Sequence, residues 1–372
     1  MNAKAYETAR RPAIRRRPPD RHRFVAGLPK GAAPKRTAEI LPTHTPELFR
    51  AAVRRAAESL RAGDAVALPT ETVYGLAANA LDSAAVSQIY QIKGRPSHNP
   101  IIVHVAGLAM ARRCVAAWPD CAGKLAAAFW PGPLTLVLPR SEEIPDLVTA
   151  GGPTVGVRWP AHPFIQAVIR ECGFPLAAPS ANLSSRVSPT SAEHVRRQLG
   201  EALGLIVDGG QSQVGIESTV LDLTVAPPRV LRPGMIHEPA LRAVIGEVRS
   251  ERGEMRGAET PRSPGLLRKH YAPTAKLIVL RWRDDADLKS QILNLKFKMS
   301  RSHVLAHRRI PSAEGWGRVS VVPHDPQAFA RALYAELHDC DAAGAEWIVV
   351  EAPPGAPEWS AVADRLARAA AT

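Results

Sequence analysis

Short polar runs at the ends of apolar stretches carry residue types suited to holding anions and small polar molecules. Pro69-Thr70-Glu71-Thr72-Val73-Tyr74-Gly75-Leu76 follows the apolar run Ala65–Leu68, so two hydroxyls and a carboxylate sit at a strand exit, where α/β folds commonly build sites. In Lys93-Gly94-Arg95-Pro96, followed by Asn99-Pro100, a point charge and a guanidinium fork flank a glycine on proline-stiffened chain. That suits a polyphosphate, although a solvated charged face uses the same residues. Arg158 ends the run Thr154-Val155-Gly156-Val157-Arg158, where its fork could take a carboxylate or a surface ion-pair partner. His104 lies inside Ile101–Val105, as a packed imidazole or as a group facing a ligand. Pro179-Ser180-Ala181-Asn182 and Ser188-Pro189-Thr190 are dense in small hydrogen-bonding groups, and read equally as a loop plus a helix N-cap. Gly215-Ile216-Glu217-Ser218-Thr219-Val220, Leu231-Arg232-Pro233-Gly234, Ser263-Pro264-Gly265 and His270-Tyr271-Ala272-Pro273 complete the series.

The elements that must position these residues alternate between helix and strand. A helical stripe Leu48, Val53, Ala56, Leu60 precedes the strand Ala65–Leu68, and a second stripe Val86, Ile89, Ile92 precedes the strand Ile101–Val105. Further strands are predicted at Leu134–Leu138, Thr154–Arg158, Leu176–Ala178, Leu205–Val207, Thr219–Leu223 and Val230–Leu231, with helices near 108–129, 162–171, 191–199 and 239–247. This places one α/β domain over 42–248, and a polar, proline-punctuated linker over 249–274. The pattern restarts over 275–372. Strands at Leu277–Leu280, Val304–Ala306, Val319–Val322 and Trp347–Val350 interleave with helices near 285–296, 326–343 and 359–371, as expected of a small parallel-sheet domain.

Composition removes several classes. At 372 residues the chain has room for about two domains. Apolar residues make up 45% and charged residues 22%, ordinary globular usage that argues against wholesale disorder. No uncharged stretch reaches the roughly 18 apolar residues of a membrane helix, so a soluble protein is expected. The four cysteines form no CxxC pair, which leaves neither a zinc site nor a disulfide framework and fits a reducing cytoplasm. The formal charge is +13, but eleven Lys/Arg against three acids put +8 of it in residues 1–40. Residues 1–41 therefore read as a basic Arg/Pro-rich disordered tail, with loose RNA attraction or an over-long start as alternatives, and the folded part is only mildly basic. GxxxxGK[ST], GxGxxG after a strand and GxSxG are all missing, so P-loop, Rossmann-dehydrogenase and nucleophile-elbow chemistry have no support.

The order of these motifs, PTETVYGLA, KGRP, FWPGPLTL, VGVRWP, APSAN, SPT, GIESTV and LRPG, followed by SPG and HYAP, resembles the threonylcarbamoyl-AMP synthase family in its two-domain form. The match runs nearly continuously from Leu68 to Gly234. It departs at Ser185, where glycine is common, and is weaker beyond Thr274. The resemblance implies an α/β fold with a YrdC-like twisted sheet around a large positive cleft, plus a smaller C-terminal Rossmann-like α/β domain. It further implies that L-threonine, bicarbonate or CO2, and ATP give L-threonylcarbamoyl-adenylate and pyrophosphate, for threonylcarbamoyladenosine modification of tRNA. Carried over by position, Thr72, His104, Arg158 and Ser218, with the backbone at Ala178, would hold threonine. Lys93, Arg95, Asn99, Thr154, Ser180, Asn182, Ser188, Arg232 and Tyr271 would hold ATP, and the linker would cross the cleft.

Residue chemistry agrees with that division. A carbamate oxygen attacking the α-phosphorus needs no protein nucleophile. It needs in-line positioning and cations over developing charge, which makes Lys93 and Arg95 the candidate catalytic residues. His104 could assist carbamate formation as a base or position threonine, with positioning favoured over proton transfer. Mg2+ is expected on the triphosphate, with no carboxylate cluster marking a protein-built metal site. A downstream tRNA threonylcarbamoyl transferase is the expected partner, so tRNA is met indirectly. The competing reading is a double-stranded RNA-binding or ribosome-assembly module using the same cleft passively. It calls for aromatics stacked among the cations, whereas aromatics are 5% of the chain and only Tyr90 neighbours Lys93–Arg95. A hydrogenase-maturation carbamoyltransferase shares the YrdC-like fold but carries zinc-finger cysteines that this chain lacks.

Overall fold

The computed structural model describes residues 37–250, 270–293 and 298–371, all within one unit, Lys35–Thr372. The tail through Arg36, the Ser263-Pro264-Gly265 run with the rest of 251–269, and the end of the helix expected at 285–296 lie outside the described residues. Strands β1 (Glu39–Pro42), β2 (Val66–Leu68), β3 (Gly75–Asn79), β4 (Val103–His104), β5 (Leu134–Pro139), β6 (Thr154–Arg158), β7 (Leu176–Ala177), β8 (Leu205–Asp208), β9 (Thr219–Asp222), β10 (Arg229–Arg232) and β11 (Arg249–Ser250) form one mixed sheet. Its order is β1-β8-β2-β3-β7-β4-β6-β5-β9-β10-β11. Helices α1 (Pro46–Arg61), α2 (Ser83–Lys93), α3 (Leu108–Arg113), α4 (Asp120–Phe129), α5 (Asp146–Thr149), α6 (Pro163–Cys172), α7 (Ala192–Leu199) and α8 (Glu238–Ile245) connect the strands.

Local chemistry sets the helix ends that matter for the site. Thr45 caps α1 by accepting from the Leu48 N–H, and Pro46 occupies its first turn. The buried face of α1, Val53, Ala56 and Leu60, packs beside α6, where Phe49 and Phe164 meet edge to face at 5.2 Å. Asp82 caps α2, and Gly94 ends it with φ of +57°. That left-handed residue turns the chain so that Lys93 and Arg95 leave the helix in different directions.

Three expectations are corrected. The helix predicted over 108–129 is two helices, because Pro119 fixes its own φ and disfavours helix at the residue before it. Gly75–Asn79, where no strand was predicted, is a strand of small residues buried between β2 and β7. Residues 39–41, assigned to the basic tail, belong to β1, which pairs in parallel with β8.

The C-terminal part contains β12 (Lys276–Leu280), α9 (Asp285–Leu293), β13 (Ser302–Ala306), β14 (Arg318–Val321), α10 (Pro326–Ala342), β15 (Trp347–Glu351) and α11 (Ser360–Ala369). Its four strands are all parallel, in the order β12-β15-β13-β14. Leu333 and Leu337 of α10 bury against Ile348 and Val350 of β15, and the same cluster takes in Val73, Val187, Ile216 and Tyr271 from earlier in the chain. The approach there is close. A Cβ on Gly215 would lie 2.4 Å from Arg331 Cα of α10, so only glycine fits at that point.

Candidate active site

A cleft with about 540 Å3 of empty space opens where the β2–β3 connection, the ends of β4, β6 and β10, and the segment after β7 converge. Its walls include Thr72, Arg95, His104, Arg158, Ala178, Ser180, Ser218, Arg232 and Tyr271, nine of the residues that the sequence singled out. His104 and Arg158 are register partners on the parallel strands β4 and β6, so strand pairing alone sets them side by side. Arg158 is nearly fully buried. Its Nη2 lies 2.7 Å from Glu71 Oε1, its Nη1 donates to Thr72 Oγ1 at 2.9 Å, and its Nε donates to the Gly132 carbonyl at 3.2 Å. Burial pushes the Glu71 carboxyl up, but the Arg158 charge and the Ala161 N–H outweigh it and hold the group below its ordinary range.

His104 is pushed down to about 3, first by burial and then by the Arg158 charge. A neutral imidazole with so low a pKa is a poor base at neutral pH, which favours positioning over proton transfer. Its Nδ1, with His270 Nδ1 and the Tyr271 hydroxyl, is buried with no hydrogen-bond partner. All three residues line the cleft. Orphaned polar atoms each cost about 1–3 kcal/mol, and their convergence on one opening marks a place built for a polar ligand.

On the other side, Arg95 Nε donates to the Asn99 carbonyl at 3.0 Å and Nη2 to the Pro100 carbonyl at 2.6 Å. Burial lowers the Arg95 pKa to about 10, which leaves it charged at neutral pH. Lys93 is set behind the wall. Its Nζ donates to the carbonyls of Ser180 and Asn182, both at 2.5 Å, and burial together with Arg95 draws its pKa well below the ordinary lysine value. Asn99, Asn182 and Ser188 are buried beside the cleft without lining it. Asn182 ties its loop through Nδ2 to the Leu183 and Arg186 carbonyls, and Ser188 donates to Glu217 Oε1 at 2.6 Å. Thr154 stands at the opposite end of β6 from Arg158 and borders a smaller cavity with Pro100 and Ile102.

The third wall comes from β9 and β10. Arg232 donates from Nε to the Ser218 carbonyl at 3.1 Å and from Nη2 to Ser218 Oγ at 3.2 Å, while Ser218 Oγ also meets Thr135 Oγ1 at 2.8 Å. Of the linker, 270–274 are described, and His270 and Tyr271 reach the cleft. Tyr271 takes a left-handed φ of +60°, a strained backbone for an aromatic residue of the kind that collects at functional sites.

Sequence reasoning missed four participants. Glu71 and Glu217 stood inside quoted motifs, yet their pairing with arginine had no local signal. Tyr334 and Arg365 lie more than a hundred residues downstream on amphipathic helices, where nothing sets them apart from core and surface positions. The described arrangement offers three arginine side chains, several hydroxyls and two carboxylates already matched by arginine. It suits binding a carboxylate at one end and a polyphosphate at the other.

Residues 58–234 match the family profile described as Telomere recombination, which covers the Sua5, YciO and YrdC proteins. Residues 236–371 match the profile of the threonylcarbamoyl-AMP synthase C-terminal domain. The chain is 41% identical over 321 residues to the threonylcarbamoyl-AMP synthase of Pyrococcus abyssi, covering 85% of this chain and 93% of that protein. It is 35% identical to the Schizosaccharomyces pombe protein of the same name, covering 87% and 90%. The crystal structure of Pyrococcus abyssi Sua5 complexed with L-threonine superposes with a TM-score of 0.81 at 38% identity, covering 89% of this chain and 96% of that one.

Proposed function

Because this chain belongs to the threonylcarbamoyl-AMP synthase family, we propose that its cleft joins L-threonine, bicarbonate or CO2, and ATP into L-threonylcarbamoyl-adenylate, with release of pyrophosphate. The product serves threonylcarbamoyladenosine modification of tRNA. The chain is thus an enzyme that takes ATP as a substrate and binds L-threonine, and we class it as a nucleotidyltransferase.

The observation that carries the reading is the placement of Arg158, Arg95 and Arg232 around one opening lined by hydroxyls. Two of the five Arg158 N–H groups donate to Gly132 and Thr72, and Nη2 stands beside Glu71 as an ion pair without a hydrogen bond, so at least two N–H groups remain for the threonine carboxylate. Thr72 and Ser218 would read the substrate hydroxyl. The threonine amine adds to CO2 and loses a proton to water, and a carbamate oxygen then attacks the α-phosphorus while the bond to pyrophosphate breaks. Arg95 and Arg232 stabilise the charge that develops. Lys93 acts in two ways. Two of its N–H groups fix the backbone of the Ser180–Asn182 loop, and the third is left for phosphate, whose charge favours the protonated amine.

The residues suit Mg2+ carried in on triphosphate oxygens. Glu71 and Glu217 are each tied to an arginine, and among the described residues no group of three His, Cys, Asp or Glu could hold a metal. Asn99, Thr154, Ser180, Asn182, Ser188 and Tyr271 are proposed to complete the nucleotide half. A downstream tRNA threonylcarbamoyl transferase would receive the adenylate in the cytoplasm. No described helix is long and apolar enough to cross a membrane.

The test is pyrophosphate release with each substrate omitted in turn and with valine replacing threonine. Release should need all three substrates, and valine should be at least tenfold slower because its methyl offers Thr72 and Ser218 no hydrogen bond. Equal rates with valine would overturn the assignment.

A further inference from the structure

Arg365 lies on α11, far from every motif of the cleft, yet its guanidinium is fully buried against the cleft wall. Its Nε donates to Glu217 Oε2 at 2.8 Å and its Nη2 to the Glu217 carbonyl at 3.4 Å, while Nη1 donates to Asp364 at 2.7 Å. The Tyr271 ring sits 5.2 Å from the guanidinium carbon, and the Tyr334 hydroxyl of α10 donates to Glu217 Oε2 at 3.1 Å. The Glu217 carboxylate is therefore held largely by the C-terminal part. It also lines the cleft, next to Ser218 and the Arg232 that binds Ser218. A carboxylate in that place would repel a polyphosphate and compete for Arg232 unless its charge were already matched.

We propose that Arg365 is a positioning residue for the nucleotide: by matching the charge of Glu217 it keeps Arg232 on Ser218 and the cleft wall positive. The C-terminal domain is then a working part of the ATP site and not only a cover over it. This inference rests on the synthase reading above. Burial alone would push the Glu217 carboxyl up, and the Arg365 and Arg232 charges instead hold it at about 2. The groups facing it are Arg365 and Asp364 on α11, Tyr334 on α10, Arg232 on β10, Ser188, and His270 and Tyr271 of the connecting segment. Removing Arg365 takes away the stronger of the two charge effects on Glu217, so its pKa rises, and ATP binding should improve as pH falls and Glu217 is neutralised.

The experiment uses the full chain and measures the Kd for ATP by calorimetry, beside KM for ATP and for threonine, from pH 5.5 to 8.5. Arg365→Met should weaken ATP at least tenfold at pH 8 with KM for threonine changed less than threefold, and the defect should shrink as pH falls. The Glu217→Gln/Arg365→Met pair should regain at least fivefold of the loss and show no such pH dependence. A pair no better than the single variant, a defect that ignores pH, or equal losses for both substrates would overturn the proposal and leave Arg365 a clamp for the fold. If Arg365→Met does not fold, the uncharged pair carries the test, and a folded pair binding ATP more than tenfold worse than wild type overturns the proposal. Calorimetric ATP binding is read even if the wild-type chain releases no pyrophosphate, so loss of the synthase reading is seen separately.

Discussion

At the scale of single residues, the guanidinium of Arg158 does two jobs that a lysine could not share. It neutralises buried Glu71 and still presents two N–H groups in a plane. Arg158→Lys keeps the charge beside Glu71, so the chain should stay folded while KM for threonine rises about tenfold, a loss of about 1.4 kcal/mol. Arg158→Ala leaves Glu71 buried and unmatched and should cost about 3–5 kcal/mol of stability. Melting curves and threonine saturation, run on both variants, check this; equal threonine KM for Arg158→Lys and wild type would remove Arg158 from the substrate site. Nine of the residues that line the cleft were visible in the sequence, several of them because they follow an apolar run where a strand leaves the core. What was not visible is engagement. Lys93 reads as an open cation in Lys-Gly-Arg-Pro, but its amine is spent mostly on two carbonyls of a loop that arrives nearly ninety residues later.

Elements were legible where apolar periodicity was strong and lost where small residues or proline interrupted it. The strands predicted at Thr154–Arg158 and Leu134–Leu138 match β6 and β5 closely. Gly75–Asn79 escaped because Gly-Leu-Ala-Ala-Asn has no β-branched or aromatic residue, and only its buried place between β2 and β7 makes it a strand. Backbone strain left one trace, a serine at 185 where the family commonly has glycine. Ser185 takes φ of +66° in the loop after β7, and its carbonyl accepts from the Ala272 N–H at 3.0 Å, which ties that loop to the Tyr271 segment. A left-handed serine costs roughly 1–2 kcal/mol, while glycine gives back about 0.5–1 kcal/mol in unfolded-chain entropy. Ser185→Gly should therefore be neutral or stabilising by up to about 1 kcal/mol in chemical denaturation, with the loop geometry kept. A clear loss of stability would mean that the serine side chain supports the loop.

Across the whole molecule, the joint between the two parts is both a packing and a titration problem. Ile216 and Val73 share a core with α10 and α11, and His194 stacks on His338 of α10 with ring centroids 4.0 Å apart. Contacts bridging so much sequence leave no local pattern, so the chain's division into parts can be read from composition while their fusion cannot. Burial holds His104, His194 and His270 each at about 3, against an ordinary 6.5. Between those values the unfolded chain binds protons that the native one refuses, so the native state is favoured above pH 6.5 and loses ground as pH falls. Each such histidine contributes up to about 1.4 kcal/mol per pH unit in that window, or about 4 kcal/mol per unit for the three together. Glu217, held at about 2, extends the same trend to lower pH as its unfolded-state counterpart protonates. The melting temperature should therefore drop steeply between pH 6.5 and 5, before ordinary carboxylates titrate, and near-UV circular dichroism should register loss of packing at the joint. Replacing His194 by Asn should flatten part of that slope. A melting temperature level from pH 7.5 to 5 would mean that these imidazoles are protonated in place, and that the joint opens to water without unfolding.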